Sequence, residues 1–123
     1  MNNSLEASES DLKKQLDNSD FATAVFNQLS KEFDKIGIDL AFNDVELQDY
    51  VHFKNRLSEK ILAIIRGAPN RLNQLFYLSD LPEQQVNELF KTAAHPQQEI
   101  AELLLHRITQ KVILRKKHKM GLL

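Results

Sequence analysis

The sequence predicts an all-α fold: a single-domain bundle of five helices, six if residues 1–18 form one as well, organised around a long C-terminal helix. Three observations carry this. Apolar residues recur three and four positions apart in successive stretches, the spacing that places them on one face of an α-helix. The lone alternating segment, Ile38 to Phe42, has no second strand to pair with and reads as a connector. The stretch from His95 to Lys117 carries Ala101, Leu104, Leu105, Ile108 and Val112 on one side and Ile100, Leu103 and Leu114 on an adjoining side, with Arg107 and Lys111 between them. A helix that is apolar on two sides requires neighbours on both, so the rest of the chain is expected to supply them.

In chain order, residues 1–18 are polar apart from Leu5, Leu12 and Leu16, too little apolar surface to order alone, and read as an arm or frayed helix. The bundle proper is expected over residues 19–117, with 118–123 as a tail. Its first helix is predicted from about Phe21 to Ile36, capped by Ser19 or Asp20 and ended by Gly37 in a left-handed turn. Phe21, Ala22, Val25, Phe26, Leu29, Phe33 and Ile36 form its apolar arc, opposite Thr23, Asn27, Ser30, Lys31 and Asp34.

A second helix should start at a cap on Asn43 or Asp44 and reach Arg66, where Gly67, Ala68 and Pro69 stop it. Its apolar half holds Leu47, Tyr50, Val51, Phe53, Leu57, Ile61, Leu62, Ile64 and Ile65. Asn70 is the expected cap of a short third helix with Leu72, Leu75, Phe76 and Leu78, broken at Ser79 and Asp80. Pro82 in the first turn opens a fourth, with Val86, Leu89, Phe90 and Ala93 inward, and Ala94-His95-Pro96 repeats the device for the last. Glu99 and Glu102 early and Arg115, Lys116 and Lys117 late suit the macrodipole of that last helix.

Composition narrows function mostly by exclusion. With 123 residues, 42% hydrophobic and 27% charged, the chain has the makeup of one folded domain. The absence of cysteine removes disulfides, thiolate nucleophiles and thiolate metal sites. No stretch is long and apolar enough for a membrane span, and the N-terminus lacks the blocks of a signal peptide, so no membrane partner and a cytoplasmic location are expected. Three glycines, Gly37, Gly67 and Gly121, are too scattered for a phosphate-binding loop or a dinucleotide fingerprint, and no serine sits in a Gly-flanked elbow. Glu102 and His106 stand four apart with no second such element, which favours a solvated helix face over a metal site. His52, His95 and His118 read as surface, helix-start and tail residues. The expectation is therefore no enzyme, no metal and no cofactor.

Two segments remain as binding candidates. Residues 75–90, LFYLSDLPEQQVNELF, resemble the helix-turn-helix family of DNA-binding motifs in their short helix, tight turn and second helix with Leu75, Leu81, Val86 and Leu89 at the apolar positions. The resemblance implies that the second helix reads DNA. The segment departs from the pattern at Phe76, where a small residue is usual, and at Asp80, where the turn usually has glycine, and it sets Glu83 and Glu88 where phosphates would lie.

The other candidate is the basic end, with Arg107, Lys111, Arg115, Lys116, Lys117 and Lys119 as interaction residues. Formal charge is −1 overall, yet residues 1–49 hold eleven acids against four lysines and residues 105–123 hold six bases and no acid. That asymmetry suggests that the acidic N-terminal part lies against the basic helix, within one chain or between two. The expected function is non-enzymatic protein binding or self-association; the alternative is nucleic-acid binding through the basic helix, the 75–90 segment or both.

Overall fold

The structure is a computed structural model that describes residues 19–41 and 50–121. All regular structure among them is α-helical, in five helices: α1 (Ser19–Lys35), α2 (Tyr50–Gly67), α3 (Pro69–Leu78), α4 (Glu83–Thr92) and α5 (Pro96–Lys119). The arm with Leu5, Leu12 and Leu16, the expected cap at Asn43 or Asp44, and Leu47 lie outside the described residues.

At 24 residues α5 is the longest helix, and it packs on α2 most extensively, then on α1 and on α4. Its main face is buried as the spacing predicts, through Ala101, Leu104, Leu105, Ile108 and Val112. The adjoining face is covered only in its first half: Ile100 is fully buried and Leu103 packs at the core edge, whereas Leu114 is 42% exposed. α1 contributes Ala22, Val25, Leu29, Phe33 and Ile36 to the same core, and α2 contributes Tyr50, Phe53, Leu57, Ile61 and Ile64.

Two helix ends share one hydrogen-bond pattern. α1 closes with Gly37 N–H to Asp34 O and Ile38 N–H to Phe33 O, both 3.0 Å, with Gly37 at φ +77° as expected from its freedom in the left-handed region. α3 closes the same way, with Asp80 N–H to Tyr77 O and Leu81 N–H to Phe76 O, but here Asp80 takes the left-handed place at φ +57°. Aspartate tolerates that region better than most residues, so the turn forms without the usual glycine. Leu81 then folds back into the core.

Several boundaries and faces differ from expectation. α3 starts at Pro69 with Ala68 in the cap position, because the fixed φ of proline suits the first helical residue, so Asn70 lies inside the helix. Pro82 is itself the cap residue of α4, in extended backbone, and its carbonyl accepts the first helical bond, from Val86 N–H. α5 runs to Lys119, past the Lys117 end expected for it. Val51 and Phe90, placed on apolar faces, are 49% and 42% exposed. Their arcs are wider than their neighbours cover: α4, which packs on α5, gives Val86 and part of Leu89 to the core and leaves Phe90 outside it.

Candidate interaction site

A carboxylate that the sequence reading passed over sits at the junction of α1, the α3–α4 turn and α5. Glu32 is 2% exposed. Buried, the carboxylate requires hydrogen-bond partners on both oxygens. Ser79 supplies its hydroxyl to Oε1 at 2.6 Å, Gln28 its amide to Oε2 at 2.8 Å, and Lys111 its ammonium to Oε2 at 3.3 Å. Lys111 also donates to the carbonyl of Leu78 at 3.1 Å, one of the carbonyls that the end of α3 leaves open, so it caps that helix while neutralising Glu32.

The neighbouring cations of α5 are engaged in the same direction. Arg115 donates to Oε1 of Gln28 at 2.6 Å, and Arg107 pairs with Asp80 at 3.1 Å. Arg107, Lys111 and Arg115, each four residues from the next, thus form a row that clasps the turn at one end and α1 at the other. Gln28 opposite Arg115 and Glu32 opposite Lys111 also establish that α1 and α5 run antiparallel. The Glu32–Lys111 pair joins the acidic N-terminal part of the chain to the basic helix.

The six basic residues singled out from sequence therefore divide into two groups. Arg107, Lys111 and Arg115 hold the bundle together. Lys116, Lys117 and Lys119 stand in the last turn of α5, their side chains exposed and without an ion-pair or hydrogen-bond partner among the described residues, with His118 among them. Leu114 and Met120, 42% and 62% exposed, add apolar surface to that end.

A periodicity signal for Glu32 existed. At about 100° per residue it falls inside the apolar arc of α1, between Phe21 and Val25, and Lys111 and Arg115 fall beside Leu104 and Ile108 on α5. Polar residues within an apolar arc need partners there: Glu32 and Lys111 answer each other, and Arg115 is answered by Gln28. Glu102, half of the Glu102–His106 pair considered for a metal, accepts from Lys54 at 3.1 Å. Among the described residues no three of His, Asp and Glu gather as metal ligands, and no helix is long and apolar enough to cross a membrane.

The 75–90 segment does form a helix, a tight turn and a second helix. Ser79 in the turn is fully buried against Glu32, and α4 turns Glu83, Gln84, Gln85, Asn87 and Glu88 to solvent. The outward face of α4 thus carries two carboxylates. Compared with known protein families, curated proteins and solved structures, the chain matches none.

Proposed function

We propose that this chain is a non-enzymatic, cytoplasmic interaction module, a helical bundle assembled on α5 that binds another protein or a second copy of itself through the exposed basic end of that helix. One observation carries the reading: the row Arg107, Lys111 and Arg115 is engaged internally, whereas Lys116, Lys117 and Lys119 point outward beside the exposed Leu114 and Met120. Cations interleaved with apolar surface fit an acidic protein surface that brings apolar side chains of its own. A nucleic-acid track, the alternative, calls for cations spaced along the helix to follow phosphates, and internal pairing removes three of the six.

The test compares the wild-type chain with the triple variant Lys116→Glu, Lys117→Glu, Lys119→Glu. Sedimentation measures self-association, and fluorescence anisotropy measures binding of a glutamate-rich, leucine-bearing peptide and of a DNA duplex. The expected result is self-association or peptide binding that the triple variant loses. Duplex binding without peptide binding or self-association, with log affinity falling against log salt at a slope of about −3 for three phosphate contacts, would replace this reading with the nucleic-acid one.

A further inference from the structure

Between the C-terminal end of α1 and the outer face of α3 lies a depression of about 500 Å³ lined by Lys35, Ile36, Asn73, Gln74, Tyr77 and Leu78. Its volume lies in the range of ligand sites, but it is open along one side, and a small molecule there would keep much of its surface in water. A linear peptide suits such a hollow, because it takes contacts from the floor and continues past both ends. Its lining includes the apolar side chains of Ile36 and Leu78, and Tyr77 beside them is 84% exposed. An exposed tyrosine beside a hollow offers a large, stiff contact surface at low entropic cost, the property that enriches tyrosine at binding hot spots.

The charge of its described lining is positive. Among the described residues, Lys35 is the only charged residue of the lining, and no carboxylate lines the hollow. Arg71 lies just beyond Ile36, its guanidinium 3.5 Å from the carbonyl of Gly37. The carboxylate of Asp39, on the same connector, is turned to its own backbone, where it accepts from Ala41 N–H at 3.2 Å. The side-chain amides of Asn73 and Gln74, which have no hydrogen-bond partner among the described residues, offer donors and acceptors of the kind that pair with an extended main chain.

We infer that this depression is a second docking surface, separate from the basic end of α5, and that it takes a linear protein segment carrying an aliphatic side chain next to a carboxylate. The aliphatic group enters between Tyr77, Ile36 and Leu78, and the carboxylate faces Lys35 and Arg71.

The test uses ¹⁵N-labelled full-length chain titrated with acetylated hexapeptides that carry one leucine or isoleucine beside one aspartate or glutamate. Control pools replace the aliphatic residue with serine or the acid with lysine. Saturable shifts at the amides of Asn73, Gln74 and Tyr77 are expected with the first pool, weakened at least about tenfold in Tyr77→Ala and in Lys35→Glu, as for a hot-spot contact. Both substituted side chains are exposed, and circular dichroism verifies that the variants fold. The inference is overturned by the absence of saturable shifts at millimolar peptide, or by equal shifts with the control pools. It is overturned too if the shifts lie only at Lys116 to Lys119, which places peptide binding on α5. Shifts at the same amides that grow with protein concentration alone would assign the hollow to a second copy and likewise overturn the peptide proposal.

Discussion

The hydroxyl of Ser79 lies 2.6 Å from Oε1 of Glu32, 47 residues away in the chain, and both side chains are buried. This contact fixes the α3–α4 turn on α1, and Lys111 ties the same carboxylate to α5.

Removing one partner should therefore cost more than removing the pair. Lys111→Met leaves Glu32 without a cation, and because Lys111 is itself partly solvated the expected loss is about 2 kcal/mol, below the usual figure for a fully buried pair. Glu32→Met together with Lys111→Met should return to within about 1 kcal/mol of wild type. Urea unfolding of the three proteins measures this. A double variant as unstable as the single one would show that Glu32 matters through its hydrogen bonds to Ser79 and Gln28 rather than through its charge.

Core positions should separate sharply from the apolar residues left outside. Ile61 and Leu104 are fully buried, and truncation of either to alanine should cost about 2–5 kcal/mol. Phe90→Ala should cost less than about 1 kcal/mol, since the side chain is 42% exposed and lies outside the core cluster. Thermal or urea unfolding decides, and an equal loss at Phe90 and Leu104 would mean that α4 is packed more deeply than this geometry allows.

Thr109 is 1% exposed, and its hydroxyl has no hydrogen-bond partner among the described residues. A buried hydroxyl left unpaired carries its full desolvation cost, so the near-isosteric Thr109→Val should stabilise the chain by up to about 1–2 kcal/mol. A rise in the unfolding midpoint at unchanged m-value is the expected signature; a fall would reveal a bond to that hydroxyl.

The left-handed backbone at Asp80 predicts an order among its substitutions. Asp80→Ala should cost about 1–2 kcal/mol, because alanine enters that region poorly. Asp80→Gly removes the backbone strain and loses only the exposed pair with Arg107, about 0–1 kcal/mol, so it should stay near wild type. If alanine and glycine proved equal, the ion pair and not the backbone would be the reason for aspartate at this position.

The sequence by itself determined the helices and most of the core. Spacings of three and four in α1, α2 and α5 follow from the helical repeat, a property of the local chain, and so Leu29, Phe33, Leu57, Ile61, Leu104 and Ile108 could be placed inside without knowing what they touch. Gly37 and Pro96 marked helix ends because their backbone preferences are equally local.

What only the tertiary structure decided is which polar groups answer one another. Arg107, Lys111 and Arg115 look alike in sequence to Lys116, Lys117 and Lys119, yet the first three meet Asp80, Glu32 and Gln28 across the antiparallel α1–α5 contact and the α3–α4 turn, and the last three extend beyond it. Partnership depends on how helices are stacked and in which register, and the periodicity of a single helix holds no information about its neighbour's register. For the same reason Val51, Phe90 and Leu114 were placed on apolar arcs but remain exposed. An arc states which way a side chain points, and only a packed neighbour buries it.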